Sequence, residues 1–460
     1  MHQQRQKIHF IAIGGSVMHN LAVSLKMSGH EVSGSDDEIH EPSRSTLKEH
    51  GLLPDKEGWY PEKLDPSFDA VILGMHAKKD NAELVKAQSL GLRIYSFPEY
   101  IYEHSRNKQR IVIAGSHGKT TITAMVMHIL RHFHRKFDYV IGASVKGIEH
   151  TVKLSDAPII IIEGDEYLSS VLDPIPKFLR YKHHIGLISG VAWDHVNVFE
   201  REEEYLNQFD KFADDTPKGG TLFYCEQDSL ALIIGKKDRF DVQAISYKNH
   251  PQSNDHHGQY YITNGKDRYP VKVFGSHNFQ NMGGAKEILK KIGITPEMFF
   301  EGIQSFEGAA GRLEKVGDNK RTIIYKDFAH APSKVKATVK AVKELFPSRD
   351  LVACLELHTY SSLTKKFIPQ YKDSLKVAQV QCVILDPEKV SAKGLEPITE
   401  NDIRKAFNSQ GIQVFDSARK LETFLLGLTW ENKNLLLMSS GTFGGLNFSG
   451  LSKKILGETA

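Results

Sequence analysis

The chain has 460 residues, 40% of them apolar and 25% charged, with a formal net charge of +3. This charge balance lacks the basic footprint of a nucleic-acid binder, and no apolar run approaches the ~20 residues of a membrane-spanning helix. Three widely spaced cysteines, Cys225, Cys354 and Cys382, argue against a disulfide framework and for a reducing, cytoplasmic compartment, and the length suggests about three domains at roughly 100–200 residues each.

Taken in chain order, strands and helices alternate. IHFIAI (8–13) reads as a strand followed by a glycine turn, and LAVSLKM, with Gly29 beyond it, as a helix closed by a C′ glycine. FDAVILGM, NAELVKAQSL (stopped by Gly91) and LRIYSF continue as strand, helix and strand. Such βαβ alternation implies a parallel sheet covered by helices. RIVIA at 110 opens a new unit, and Ile122, Met125, Val126, Ile129, Leu130 and Phe133 then share one helix face. APIIII and IGLIS are buried-strand candidates, each followed at once by polar residues. QYYITNGKDRYPVKVFG carries an Asn264-Gly265 hairpin signal. The last third alternates again: TIIY, a helix with Val335, Val339, Val342 and Phe346 on one side, then LVACLEL, QCVIL and NLLLM. The fold class expected is α/β in three domains. They are a Rossmann-like N-terminal domain (1–106), a central P-loop ATPase-like α/β domain (107–318) and a Rossmann-like C-terminal domain (319–460).

The strand–loop–helix at 110–133 carries the first chemistry. Gly115-Ser116-His117-Gly118-Lys119-Thr120-Thr121 is one glycine short of G-x-x-x-x-G-K-[ST], since Ile113 stands where that glycine would be. Its backbone N–H groups and the following helix N-terminus suit a phosphate. Lys119 supplies a mobile positive charge and Thr120 a hydroxyl for Mg²⁺. Mg²⁺ takes oxygen ligands, and Glu163, directly after APIIII, is the carboxylate best placed at a strand end. His195, after IGLIS, is a candidate for a second metal or a loop histidine. Asp165, Glu166 and Asp194 are open to a reading as solvated loop charges.

IAIGGSVMHN is not a dinucleotide fingerprint, because no third glycine follows Gly14-Gly15 at the needed place. Gly14, Gly15 and Ser16 still leave N–H groups for a diphosphate. Ser35 and Asp36 follow a strand where an acidic group can meet a ribose or a base. His76 and Asn81 lie at another strand end, open to a ligand role or a structural one.

The shortened G-x-x-G-K-T loop resembles that of the Mur ligases, the ATP-dependent amide-forming enzymes of peptidoglycan synthesis. Further segments agree in order. Glu163-Gly164-Asp165-Glu166 resembles E-A-D-E, Asp194-His195 resembles D-H, and GSHNFQN (275–281) is similar to G-x-H-N-x-x-N. Gly311-Arg312-Leu313-Glu314 resembles G-R-x-E, and DFAHAP (327–332) is similar to D-[DY]-x-H-x-P. The resemblance implies ATP and Mg²⁺. It places Lys119 on the β/γ-phosphates, Thr120 and Glu163 on one Mg²⁺, and His195 on a second. Asn278 and Asn281 would meet adenine, Arg312 the γ-phosphate, Asp327 the ribose, and His330 the nucleotide. The N-terminal residues and Glu166 would serve a UDP-sugar. Catalysis is assigned to Lys119, Glu163, His195 and Arg312, acting through an acyl phosphate.

Two members of this family use the lactyl carboxylate of UDP-N-acetylmuramate. One adds L-alanine, and the other re-attaches the tripeptide L-alanyl-γ-D-glutamyl-meso-diaminopimelate. AIGGSVMHN and MSSGTFGGL (438–446) are more similar to the tripeptide type. Family members carry arginine after the second strand of the C-terminal domain; here Leu357-His358-Thr359-Tyr360-Ser361-Ser362 has none, and His358 or a nearby lysine is the substitute expected. A monomer or homodimer is expected, with no nucleic-acid or membrane partner.

Overall fold

The computed structural model describes residues 5–143, 145, 147–193, 198–199, 201–254, 259–309 and 312–457. The chain divides into two compact units. One comprises Met1–Val191, Glu203–Lys248 and Gly284–Gly302, the other Ala192–Glu202, Asn249–Gly283 and Ile303–Ala460.

The first unit holds two sheets. The strands β1 (Lys7–Ile11), β2 (Glu31–Ser35), β3 (Ala70–Leu73) and β4 (Ile94–Ser96) lie in the order β2-β1-β3-β4, all parallel. The second sheet is built from β5 (Gln109–Ala114), β6 (Asp138–Val140), β7 (Val152–Lys153), β8 (Ile159–Glu163), β9 (Ile185–Ile188), β10 (Thr221–Cys225) and β11 (Gln243–Tyr247), in the order β11-β10-β9-β5-β8-β6-β7. Only β7 runs antiparallel to its neighbour. The central strands β5, β8 and β9 are apolar because both faces are covered, as parallel sheets require. The helix Lys119–His132 leaves the end of β5 and buries Ile122, Met125, Val126, Ile129 and Leu130, the face expected from their spacing. Phe133 falls just outside it, because the chain turns away there and His134 takes a left-handed φ of 51°.

In the second unit, β12 (Gln252–Asn254), β13 (Tyr260–Asn264) and β14 (Asp267–Val271) form an antiparallel sheet. The hairpin forms where expected, but Asn264 pairs with Asp267, so Gly265 and Lys266 make the turn. The main sheet is β15 (Glu314–Asp318), β16 (Ile323–Asp327), β17 (Asp350–Glu356), β18 (Val380–Ile384), β19 (Gln413–Phe415) and β20 (Lys433–Met438), in the order β15-β16-β20-β17-β18-β19. It is parallel except for β15. Alternate residues of β17 serve opposite cores: Leu351, Ala353 and Leu355 pack with Val335, Val339 and Val342 of the helix Pro332–Leu345, whereas Val352 and Cys354 pack with Leu421 and Leu425. Insertion of β20 between β16 and β17 makes a topological switch at the carboxyl ends of these strands, the place where open α/β sheets bind ligands.

Candidate active site

The phosphate loop joins β5 to the helix Lys119–His132, with Gly115 at φ 132° and Gly118 at φ 81°. A Cβ on Gly115 would stand 2.2 Å from Ser189 Oγ and 3.0 Å from the Gly190 carbonyl, so only glycine lets β5 and the segment after β9 approach this closely. Ser116 N donates to Gly190 O at 2.9 Å, fixing the loop from the other side.

Lys119 Nζ donates to the Gly115 carbonyl and to Glu166 Oε2, each at 2.6 Å. Burial works against its charge, but Glu166, with Asp165 and Glu163 behind it, outweighs burial and holds the ammonium above its ordinary pKa. Thr120 Oγ1 donates to Glu163 Oε1 at 2.7 Å, and Gly142 N donates to Glu163 Oε2 at 2.8 Å. The sequence-assigned Lys119, Thr120, Glu163 and Glu166 therefore stand together, on the helix N-terminus and the end of β8. Asp165 points elsewhere and pairs with Lys177 at 2.6 Å. Asp194 and His195 lie outside the described residues. Tyr205 is a participant that the sequence did not reveal. Fully buried on the helix Glu202–Asp214, its hydroxyl lies 2.7 Å from Ser116 Oγ and 3.4 Å from Glu166 Oε1.

At the four-stranded sheet, Asp36 is buried and its Oδ2 accepts from Gly14 N at 2.7 Å. Burial is the main cause that raises its pKa to about 6, against the opposing Gly14 N–H. A Cβ on Gly14 would come within 2.9 Å of that carboxylate. Ser16 is exposed and Gly15 half-buried. The loop is braced by His19 Nδ1, 2.8 Å from Gly15 O, and by Asn20 Nδ2, which donates to Ser16 O at 3.0 Å. The i, i+4 spacing of these pairs was the available signal for them. Ser35 is buried and His76 exposed. The Asn81 side chain accepts from Glu83 N and Leu84 N as the N-cap of the helix Ala82–Ser89, the structural alternative left open for it.

In the second unit, Arg312 Cζ lies 4.9 Å from the Phe328 ring centre. Asp327, at the end of β16, accepts from Leu313 N at 2.6 Å and Ala329 N at 2.7 Å. Its burial raises its pKa, against Arg312 and these donors. His330 Nδ1 lies 2.8 Å from Phe328 O. Asn278 Nδ2 donates to Phe274 O at 2.7 Å, and Asn281 is buried on the same helix, Ser276–Lys291.

The arginine-less segment after β17 has a cationic neighbour. Glu356, buried, accepts from Phe443 N at 2.8 Å, from Lys389 Nζ at 3.2 Å and from Ser439 Oγ. Burial would raise its pKa, but these donors outweigh burial and lower it. Lys389 Nζ also lies 3.4 Å from His358 Nδ1. The His358 pKa is lowered, first by burial, with Glu356 opposing.

Three family profiles match in order along the chain. "Mur ligase family, catalytic domain" matches residues 7–109, "Mur ligase middle domain" 113–288, and "Mur ligase, glutamate ligase domain" 311–441. The chain belongs to the Mur ligase family. As a Mur ligase it is an ATP-dependent ligase of peptidoglycan synthesis. It is 28% identical over 422 residues to a UDP-N-acetylmuramate–L-alanine ligase of Caldicellulosiruptor bescii, covering 88% of this chain and 89% of that one. It is 25% identical over 464 residues to a UDP-N-acetylmuramate–L-alanyl-gamma-D-glutamyl-meso-2,6-diaminoheptandioate ligase of Haemophilus influenzae, covering 97% and 98%. Its fold matches the crystal structure of the UDP-N-acetylmuramate-alanine ligase MurC of Thermotoga maritima with a TM-score of 0.71 at 20% identity, covering 98% of this chain and 99% of that one. Among the described residues of this Mur ligase, no helix is long and apolar enough to cross a membrane.

Proposed function

We propose that this Mur ligase joins the lactyl carboxylate of UDP-N-acetylmuramate to the amine of L-alanyl-γ-D-glutamyl-meso-diaminopimelate, driven by ATP. The carrying observation is the juxtaposition of Lys119, Thr120 and Glu163 at the phosphate loop. The substrate carboxylate attacks the γ-phosphorus, the bond to the β-phosphate oxygen breaks, and ADP leaves. The amine then attacks the acyl phosphate carbon, inorganic phosphate leaves, and the amine gives up a proton.

Lys119 faces the charge on the β/γ-phosphates, where a fixed cation acts most strongly on the transferring group. Thr120 and Glu163 fit Mg²⁺, because they bring two hard oxygen donors to within 2.7 Å of each other, and His195 is assigned to a second ion. Bound Mg²⁺ supplies charge neutralisation between acid and nucleotide. In the same reading Gly115–Thr121 cradle the phosphates. Arg312 takes the γ-phosphate, Asn278 and Asn281 the adenine edge, and Asp327 and His330 the rest of the nucleotide. Gly14, Gly15, Ser16, Ser35, Asp36, His76 and Glu166 serve the UDP-sugar, and Asn81, whose side-chain oxygen caps the helix Ala82–Ser89, keeps the structural role. The profile boundaries support domains at 1–106, 107–318 and 319–460.

We assign carboxylate recognition on the amine substrate to Lys389 and His358, which stand where the family arginine is missing. A substrate carboxylate can share the Lys389 ammonium, now held by Glu356, and AIGGSVMHN and MSSGTFGGL support the tripeptide type. L-alanine is the second reading, favoured by relatives that carry that name. Phosphate release with UDP-N-acetylmuramate and each amine in turn tests the choice. Turnover with L-alanine and none with the tripeptide reverses it.

A further inference from the structure

A buried side chain links the two sheets of the first unit. The helix Met18–Met27, which follows the glycine loop of the four-stranded sheet, lies against β7 at the edge of the seven-stranded one. Asn20 on that helix is buried. Its Nδ2 donates to Ser16 O at 3.0 Å, and its Oδ1 accepts from Thr151 N at 3.0 Å. The amide stands this way round because a carbonyl needs a donor and an N–H needs an acceptor. The second Nδ2 hydrogen meets His19 Nε2 at 2.8 Å. That nitrogen is therefore bare, and the His19 proton sits on Nδ1, 2.8 Å from Gly15 O and 3.0 Å from Ser43 Oγ. Burial is the largest influence on His19 and lowers its pKa, with Gly15 O opposing, which favours this neutral ring. Asn20 and His19 together hold the consecutive carbonyls of Gly15 and Ser16.

The bonds continue beyond Thr151. Its carbonyl accepts from Ile141 N at 2.9 Å. The next residue, Gly142, donates its N–H to Glu163 Oε2 at 2.8 Å, and Glu163 Oε1 accepts from Thr120 Oγ1 at 2.7 Å. A continuous run of hydrogen bonds and short backbone steps leads from the glycine loop to the first turn of the helix after the phosphate loop. Asn is a poor helix former, and an apolar residue would fill the same buried space without needing partners. What the amide adds is a fixed distance between the two loops.

We propose that Asn20 is a positioning residue for the transfer step: through Ser16 O and Thr151 N it keeps the loop that holds the UDP-sugar in register with Thr120 and Glu163. The lactyl carboxylate then meets the γ-phosphate from a set direction. This inference rests on the assignment of Gly14–Ser16 to the UDP-sugar and of Lys119, Thr120 and Glu163 to the nucleotide.

Two substitutions cut the link at different points. Asn20→Ala removes both bonds. Thr151→Pro removes only the N–H that Asn20 Oδ1 accepts and leaves the brace on Ser16, and proline is tolerated at an edge strand such as β7. In the full-length enzyme with all three substrates saturating, we expect each to lower the single-turnover rate of ADP formation about tenfold or more, the scale of a small misplacement of reacting groups. We expect the dissociation constant of a non-hydrolysable ATP analogue in both variants, and that of UDP-N-acetylmuramate in Thr151→Pro, to stay within about twofold, since the loss falls on the transition state. In Asn20→Ala the acid also binds more weakly, because Ser16 loses its brace. The double variant reacts no more slowly than Asn20→Ala, because both substitutions cut one link. An unchanged rate in Thr151→Pro, or losses that multiply in the double variant, overturns the inference. A role in folding alone would lower the thermal midpoint and leave the rate intact. Gly15→Asp and Lys119→Ala are the controls. If the acid binds Gly15→Asp, or the analogue binds Lys119→Ala, as tightly as wild type, the underlying site assignment fails. If both controls weaken binding and Thr151→Pro keeps the wild-type rate, only the link is lost. Should Thr151→Pro not fold, Asn20→Ala decides: its rate at saturating acid must fall while analogue affinity holds, and an unchanged rate overturns the inference.

Discussion

Lys119 and Lys389 share a chemical problem under the proposed function: each is a cation meant for an anionic substrate while already paired with a buried carboxylate, Glu166 or Glu356. The pairing orients the ammonium and holds a competing anion beside it. Lys119→Ala should abolish ADP formation, by about 10²–10³-fold or more on the scale of losing one group that stabilises transition-state charge, with the circular dichroism spectrum unchanged. Lys389→Ala should raise the KM for the amine substrate by about 10-fold or more, since a hydrogen bond to a charged group is worth roughly 1.5–3 kcal/mol, and leave the KM for ATP as it was. An unchanged amine KM removes Lys389 from the substrate. The sequence made Lys119, Thr120 and Glu163 legible because strand, glycine loop and helix stand in one continuous stretch, and the end of a strand marks Glu163. It did not reveal Tyr205, which meets Ser116 across 89 positions of sequence, or Lys389, 31 positions beyond His358. Only the packing of distant elements creates those contacts.

At the scale of the element, the glycine bend between β5 and the helix Lys119–His132 carries the strictest backbone requirement. Gly115→Ala forces a left-handed φ on a residue with a side chain and drives its Cβ into Ser189 Oγ. We expect a loss of about 1–3 kcal/mol in denaturant-unfolding stability, together with loss of nucleotide binding. A variant with wild-type stability contradicts the geometry. The elements themselves were largely legible. Apolar runs gave β5, β8, β9, β17, β18 and β20, whose residues are buried on both faces, and the 3.6-residue period gave the helices Lys119–His132 and Pro332–Leu345. Their ends were less legible: Phe133 and Phe346 continue the apolar face but lie just past the last helical turn. β15 was missed because Glu314-Lys315-Val316-Gly317-Asp318 is a polar edge strand, whose pairing comes from β16 and not from its own pattern.

For the whole molecule, pH acts on stability through groups unrelated to the chemistry. His183 is fully buried against Phe212 and hydrogen-bonded to Thr216 Oγ1 at 2.9 Å. Burial, helped by His184 and Arg110, lowers its pKa from 6.5 to about 3. The folded protein therefore holds it neutral while the unfolded chain takes up a proton, so its contribution is complete above pH 6.5 and is lost as pH falls from 6.5 toward 3. Each pH unit between the folded and unfolded pKa corresponds to about 1.4 kcal/mol, so stability should fall by roughly a few kcal/mol across that window. His183→Gln should flatten the slope, and an unchanged slope in that variant contradicts the assignment. The family and its three-part order were legible because short motifs recur in the family's order along nearly the whole chain; the amine was not, because the side chains proposed to recognise it, His358 and Lys389, are brought together only by the second unit's fold.

The central claim is that ATP cleavage at the phosphate loop is coupled to amide formation on UDP-N-acetylmuramate. The most direct measurement is ADP release by the purified enzyme with ATP and Mg²⁺, with the acid and the tripeptide added singly and together. The account predicts sustained release only when both are present, with one amide formed per ADP. Equal release without UDP-N-acetylmuramate, or release that yields no amide, would contradict it.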